Sequence, residues 1–110
     1  MKIENLTDLE NLATINAHKH GWIVYWIKQF ATKEHDLTIG DAIALTHSEL
    51  SEALEDYRND NKTHFGEEMA DVVIRVLHIC GDLGIDLTKE INDKMVKNQS
   101  RPVNHGRKNL

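Results

Sequence analysis

Two pairs of acidic residues in the middle of the chain have the spacing of neighbours on one face of an α-helix. Glu49 and Glu52 are three residues apart in the segment HSELSEALEDYR, and Glu68 and Asp71 repeat that spacing in EEMADVV. If the two segments form consecutive antiparallel helices, the four carboxylates converge on one point and repel one another. A divalent cation removes this repulsion, and ligation by oxygen atoms alone favours Mg²⁺ or Mn²⁺ over zinc. The pattern therefore predicts a site for a hard divalent cation.

Each pair also has an explanation that needs no metal. Acidic residues three apart are common on solvated helices, so the first pair alone indicates little. The second pair is more informative, because most residues that follow Asp71 are apolar and an unpaired charge is costly to bury. Arg75 lies four residues after Asp71 and could neutralise it through an ion pair along the helix. We interpret Glu55 and Asp56, which fall outside both pairs, as solvated surface.

The elements that must position these acids are predicted to be helices joined by short polar loops, since no segment alternates strictly between apolar and polar residues. The first helix is expected over about residues 6–30, bent or broken at Gly21. The second begins near Thr38 and ends before the turn-rich segment RNDNK. Its apolar stripe consists of Ile39, Ile43, Leu50, Leu54 and Tyr57.

The second half of the chain is predicted to form two more helices. The third is expected over about residues 65–83, stopped by Gly81 and Gly84, and Gly84 suits a left-handed C-terminal cap. The fourth runs from the N-cap Asp86 to about Gln99. The fold class is therefore all-α, with short helical hairpins that form a four-helix-type bundle in a single domain of 110 residues. A chain of this length can bury only a modest fraction of its own surface, and its third helix is apolar on several sides. We therefore expect a homodimer or homotetramer to complete the bundle.

The net charge of −5 is unevenly distributed along the chain. Residues 94–110 contain five basic residues and no acid, whereas residues 1–93 contain 8 basic and 18 acidic residues. A basic C-terminal tail from about residue 100 could offer cations to the phosphates of a ligand whose metal the acidic body holds, or could simply complement that body. An acidic body repels duplex nucleic acid, so none is expected as a partner.

The remaining composition indicates a soluble protein without redox chemistry. The chain opens without a signal pattern, and no apolar stretch reaches the roughly 20 residues of a membrane span, so a cytoplasmic location without a membrane partner is expected. Cys80 is a lone cysteine in an apolar run, which favours a buried thiol. His18 and His20 lie two residues apart and point to different faces of a helix, so they are a weak zinc candidate.

The acidic pairs and the segment downstream of them resemble the signature of the MazG-like, all-α nucleoside triphosphate pyrophosphohydrolases. The sequence ELSE at residues 49–52, then fifteen residues, then EMAD at residues 68–71 is similar to the E-x-x-E…E-x-x-D motif of this family. The segment GIDLTKEINDKMVKNQSRPVNHGRK is similar to the region where K-x-x-x-N-x-x-R-P leads into H-G-x-K. The resemblance covers about residues 40–108 and predicts a single MazG-like pyrophosphohydrolase domain.

The resemblance implies a hydrolase that depends on Mg²⁺, with Mn²⁺ as a candidate substitute. The bond that is cleaved lies between the α- and β-phosphates of a (deoxy)nucleoside triphosphate, and the products are the monophosphate and pyrophosphate, often to clear surplus or non-standard nucleotides. The implied catalytic residues and metal ligands are Glu49, Glu52, Glu68 and Asp71. Among these we take Glu49 as the candidate general base.

The resemblance also indicates where the substrate binds. The candidate phosphate-binding residues are Lys94, Asn98, Arg101 and Lys108. The first three are spaced to share one face of the fourth helix, from which their donors could reach phosphate oxygens. The candidate base-binding residues are His18 and Trp22. Trp22 and Trp26 are four residues apart and are expected to share one face of the first helix, and burial of these rings in the core is the alternative.

Two other classes of function stay open at this point. A related enzyme could act on a phosphoribosyl-nucleotide in biosynthesis, and a non-catalytic helical interaction protein could retain the metal site. A panel of nucleotides assayed for pyrophosphate release with Mg²⁺ separates these three hypotheses.

Overall fold

The fold is seen in a computed structural model, which describes residues 5–102. Within these residues the helices are α1 Leu6–Lys19, α2 Ile39–Arg58, α3 Lys62–Asp82 and α4 Leu87–Gln99. Two parallel strands, β1 Ile23–Tyr25 and β2 Asp36–Thr38, lie between α1 and α2, with the 3₁₀ turn Lys28–Phe30 between them. None of the described helices is long and apolar enough to cross a membrane. The predicted all-α class is confirmed, because each strand has only three residues.

The predicted break of the first helix at Gly21 is confirmed, but no α-helix resumes between Gly21 and Phe30, and the prediction that the chain forms no strand is wrong. The helix ends before Gly21, whose φ of +82° is one that L side chains rarely adopt. After this reversal the apolar run WIVYWI is no longer helical, and residues 23–25 pair with residues 36–38. Val24 is 2% exposed, and its N–H donates to the buried carboxylate of Asp82. A short apolar run fits a buried helix or a buried strand equally well, so tertiary packing decides between them.

The helix α2 begins next to Thr38, as predicted, and its start is fixed by an N-cap. Thr38 Oγ1 accepts a hydrogen bond from the Asp41 N–H, and the Asp41 carboxylate accepts one from the Thr38 N–H, which is a reciprocal capping box. A short turn with Asp60 at a φ of +57° then reverses the chain into α3. The resulting hairpin of α2 and α3 has the most extensive packing among the described elements. The short connection makes these two helices antiparallel neighbours.

Two glycines near the end of α3 have different structural roles. Gly84 adopts a φ of +69° just after the helix, and the Ile85 N–H donates to the Cys80 carbonyl, so the predicted left-handed C-terminal cap is confirmed. Gly81 lies inside α3, and the prediction that it stops the helix is wrong. A Cβ at position 81 would collide with the Thr14 hydroxyl of α1. Gly81 therefore permits the close approach of α1 to α3.

The buried core of the described residues is small. Its apolar members are Ala13, Val24, Ala42, Ala53, Leu77 and Cys80. The predicted burial of the cysteine is thus confirmed, whereas most of the apolar stripe of α2 is not covered by its own chain. Leu50 is 48% exposed and Tyr57 is 73% exposed. The single chain leaves an apolar helical face in contact with solvent.

We predict opposite effects on stability for alanine at two glycines of α3. Gly81→Ala should lower the free energy of unfolding by about 1 to 3 kcal/mol, because the added methyl group must displace Thr14. Gly66→Ala should raise it by about 0.5 to 1 kcal/mol, because position 66 is exposed in open space and alanine favours the helix. Urea unfolding at one fixed protein concentration measures both changes.

The double-mutant cycle with Thr14→Ala is the control for the contact. Removing the threonine side chain should recover part of the cost of Gly81→Ala, since the two positions share one space. If Gly81→Ala stabilises the protein as Gly66→Ala does, then Gly81 is not required for the close approach of α1 and α3.

Candidate metal centre

The hairpin of α2 and α3 brings three of the four predicted metal ligands together. Glu49 lies on α2, and Glu68 and Asp71 lie one turn apart on α3, with carboxylate oxygens of the three within 4.8 Å of one another. The fourth predicted ligand, Glu52, is exposed on α2 beside Glu68 but outside this three-residue group. We call these four residues the carboxylate cluster. Their role as metal ligands stays a prediction.

Glu68 is the most constrained member of the carboxylate cluster. Its side chain is 8% exposed, and its Oε2 atom is buried without a hydrogen-bond partner. The pKa of Glu68 is raised to about 7, because its proton can be shared with Glu49, its carboxyl group is buried, and the negative charge of Glu52 lies nearby. Oxygen donors, concentrated negative charge and one unpartnered buried oxygen together fit a hard divalent cation.

Arg75 neutralises Glu49 across the hairpin. Its Nε and Nη2 atoms donate to Glu49 Oε1 over 3.0 and 2.8 Å. This corrects the alternative in which Arg75 pairs with Asp71 along α3. The guanidinium hydrogen bonds hold the pKa of Glu49 below its usual range. A carboxylate held in this way is a weaker proton acceptor, so Glu49 could act as a general base only after Arg75 has moved away.

An open cavity of about 390 Å³ lies beside the carboxylate cluster. It is lined by Glu49 of α2, by Asp71 and Arg75 of α3, and by residues of α1 and of the β1 region. The lining residues outside the cluster include Asn16, His20, Trp22, Leu37 and His78. The cavity lining therefore combines charged side chains with an aromatic ring and neutral polar side chains.

The two residues predicted to bind a base have different surroundings. Trp22 lines the cavity and stacks on His35, with ring centroids 5.5 Å apart. His18 is outside the cavity lining and pairs with Asp82. The predicted helical face shared by Trp22 and Trp26 does not exist, because the two residues flank β1; Trp26 is 60% exposed. Base binding by His18 and Trp22 stays a prediction.

Asp82 connects three elements behind the cavity. Its carboxylate is 3% exposed and accepts hydrogen bonds from the Val24 N–H of β1 and from His78 Nε2 on α3. It also pairs with His18 of α1. Sequence reasoning missed this group, although His78 and Asp82 are four residues apart in an apolar helix. Because His78 lines the cavity, the Asp82 network fixes the position of one cavity wall.

The predicted phosphate-binding residues lie on or just after α4. Lys94 and Asn98 are exposed, while Arg101 follows the end of the helix and donates to Asn98 Oδ1 over 3.2 Å. Among the described elements, α4 packs mainly against α1, and these three residues are not part of the cavity lining. Lys108 lies outside the described residues. Phosphate binding by the four residues stays a prediction.

One of the two acids interpreted as solvated surface is not solvated. Glu55 is exposed and pairs with Arg58, as expected for a surface residue. The interpretation of Asp56 is wrong, because its side chain is 14% exposed and its Oδ2 atom lies 2.7 Å from His64 Nδ1. His64 Nε2 in turn lies 3.5 Å from Glu68 Oε1. The turn after Arg58 was predicted, but the residues that it brings together were not.

Comparison with family models finds a match to the MazG-like family over residues 38–109. The matched segment is 72 of the 110 residues, begins at the N-cap of α2 and contains both acidic pairs. Neither the curated proteins nor the solved structures gave a match. The family match therefore agrees with the resemblance seen in the acidic signature.

In the absence of metal, Glu68→Gln should be as stable as the wild type at about pH 5 and more stable than the wild type at about pH 8. Since the folded-state pKa of about 7 lies above the ordinary value of 4.5, the folded protein binds this proton more tightly than the unfolded chain does. The resulting stability is present below pH 4.5 and is lost as the pH rises to about 7. Melting temperatures in a chelator at the two pH values measure the effect.

Glu67→Gln is the matched control, because Glu67 is the exposed neighbour of Glu68. This variant should keep the pH dependence of the wild type. A clear fall in the melting temperature of Glu68→Gln at both pH values would show instead that the Glu68 carboxylate stabilises the fold.

Proposed function

This chain belongs to the MazG-like family, and we propose that it is a Mg²⁺-dependent nucleotide pyrophosphohydrolase. Membership of the family suggests a hydrolase of this type. We propose that the substrate is a (deoxy)nucleoside triphosphate, that the products are the monophosphate and pyrophosphate, and that the reaction clears surplus nucleotides in the cytoplasm. The observation that carries the proposal is the buried, unpartnered oxygen of Glu68 in a group of carboxylates that borders a cavity. A volume of about 390 Å³ is within the range of small-molecule sites.

The carboxylate cluster is the part of the proposed site that holds the cation. Glu49, Glu68 and Asp71 would be its ligands, with Glu52 beside them. Mg²⁺, or Mn²⁺ in its place, would supply positive charge against the phosphate oxygens and activate the attacking water. A carboxylate of the cluster would then accept the proton of that water.

Arg75 changes partner in this proposal. The guanidinium of Arg75 is hydrogen-bonded to Glu49. If Glu49 held a cation, the Arg75 donors would lose this partner at the edge of the cavity. A phosphate oxygen of the substrate is the acceptor that suits them, because charge-assisted hydrogen bonds of arginine to phosphate are strong and directional.

The part of the cavity around Trp22 is the proposed place for the base. Trp22 offers an aromatic face, and Asn16 and His20 offer polar atoms around it. Our candidates for the outer phosphates remain Lys94, Asn98 and Arg101, together with Lys108. Because α4 packs against α1, they would have to approach from outside this cavity or from a second copy of the chain.

We also propose that the protein is a homodimer or homotetramer. The exposed part of the α2 stripe continues onto apolar residues of α3, because Leu50 lines one surface groove with Val76 and Leu54 lines another with Phe65. A contiguous exposed apolar surface of this kind marks an interaction site. Pairing with a second copy would bury it and add to a core that is small in one chain.

The direct test is a panel of nucleoside triphosphates assayed for pyrophosphate release with Mg²⁺. Glu52→Gln should lower kcat/KM by about 10- to 100-fold or more, because it removes a carboxylate from the cluster. Glu55→Gln, one turn further along α2 and exposed, should stay within about twofold of the wild type. Release of orthophosphate would contradict the proposed cleavage, and activity only on a phosphoribosyl-nucleotide would favour the biosynthetic alternative. An inactive panel with intact metal binding would indicate an interaction protein.

Assembly should depend on the exposed stripe of α2. Leu50 and Leu54 are 48% and 46% exposed, so the double replacement by arginine should convert the oligomer to monomers without unfolding the chain. Ser48→Arg, on the opposite side of α2, should leave the mass unchanged. Light scattering after gel filtration measures the mass, and a wild-type monomer at micromolar concentration would refute the proposed assembly.

A further inference from the structure

A second group of donor atoms lies at the turn between α2 and α3. Asp56 is in the last turn of α2 and His64 is in the first turn of α3, and the short connection places their side chains in contact. Glu68 lies one turn after His64 on the same face of α3. The three residues offer ligand atoms within 4.8 Å of one another. The group therefore lies directly beside the carboxylate cluster and shares Glu68 with it.

Asp56 fixes the orientation of the His64 ring. Its largely buried carboxylate lies 2.7 Å from Nδ1, so Nδ1–H donates to Asp56 and the Nε2 atom of a neutral ring keeps its lone pair. A histidine that binds a metal ordinarily donates its other N–H to a carboxylate or a carbonyl, which fixes the tautomer and makes the ring a better ligand. In the neutral ring, Asp56 therefore leaves Nε2 free to accept a cation.

The distance between His64 and Glu68 suits two ligands of one cation. Nε2 and Oε1 are 3.5 Å apart, which is longer than the usual 2.7 to 3.2 Å or so of an N–H···O hydrogen bond. Two donor atoms that are each about 2.1 Å from a shared cation lie about 3.0 to 3.4 Å apart. A small movement of either side chain would complete such a pair.

Glu68 is a member of both groups, and its Oε1 atom is the one that lies 3.5 Å from His64 Nε2. Its side chain is more than nine-tenths buried, and its Oε2 atom has no hydrogen-bond partner. A buried carboxylate without partners is costly. One carboxylate that belongs to two neighbouring groups can bridge two cations, one on each side.

We propose that His64 and Glu68, with Asp56 as the residue that orients His64, form a second cation site at the α2–α3 turn. Its mixed nitrogen and oxygen donors favour a divalent transition-metal ion over Mg²⁺, which prefers oxygen alone, and Mn²⁺ is the paramagnetic ion of this class that we choose as the probe. His64 and Asp56 lie outside the acidic signature, although Glu68 belongs to it, so the second site goes beyond the proposed function. The His64 side chain is 49% exposed, which leaves the remaining coordination positions open to solvent or to a phosphate oxygen.

Titration of the full chain with Mn²⁺ at about pH 8, without nucleotide, tests the site directly. Calorimetry counts the bound ions, and pulsed electron paramagnetic resonance detects a ¹⁴N nucleus bound to Mn²⁺. His64→Gln should lose one equivalent of Mn²⁺ together with a ¹⁴N coupling. Asp56→Asn should keep that coupling but weaken the affinity of the site by about 10- to 100-fold. His47→Gln, an exposed histidine in the middle of α2, should behave as the wild type.

Two results would overturn the second site. One is a wild-type protein in which no ¹⁴N couples to Mn²⁺, and the other is a His64→Gln variant that keeps the same number of ions and the same coupling. Either would mean that His64 only forms an ion pair between Asp56 and Glu68. Circular dichroism checks that each variant is folded. Because no nucleotide is present, these outcomes are independent of the pyrophosphate assay, and failure of one proposal is distinguishable from failure of the other.

Discussion

Repulsion between carboxylates on two facing helices is the constraint on which the rest of the structure depends. The α2–α3 hairpin is the most extensively packed unit of the described chain, yet it brings Glu49, Glu68 and Asp71 within 4.8 Å of one another. Two features relieve the repulsion without a metal. Arg75 neutralises Glu49, and the raised pKa of Glu68, about 7, lets it retain a proton. A divalent cation could replace both the Arg75 guanidinium and the Glu68 proton, because it would offer more positive charge than either.

The parts of the fold that local signals specify could be predicted from the sequence. Thr38 and Asp86 mark helix starts because their side chains satisfy free N–H groups, and Gly84 marks a helix end because it tolerates a positive φ. The spacing within each acidic pair likewise fixed a shared helical face. The segment after Gly21 was not predictable in this way, because its apolar run gains a strand partner only when residues 36–38 come alongside it.

The candidate site shows the same division between local and tertiary information. The proximity of the carboxylates followed from two spacings and one hairpin, whereas the partner of Arg75 depended on the relative rotation of the two helices. Asp56 was missed for a related reason, since its burial comes from His64 across the turn rather than from its own helix. Exposure of Leu50 and Tyr57 shows a further limit, because an apolar stripe in a sequence does not reveal whether its own chain or a second copy covers it.

We propose that the carboxylates of the α2–α3 hairpin bind a divalent cation. The most direct measurement is anomalous diffraction at the manganese edge from crystals of the protein grown with Mn²⁺. We expect an anomalous peak between the carboxylates of Glu49, Glu68 and Asp71, and an Arg75 guanidinium that has moved away from Glu49. A structure at saturating Mn²⁺ without a peak in this group, and with Arg75 still bonded to Glu49, would contradict this proposal.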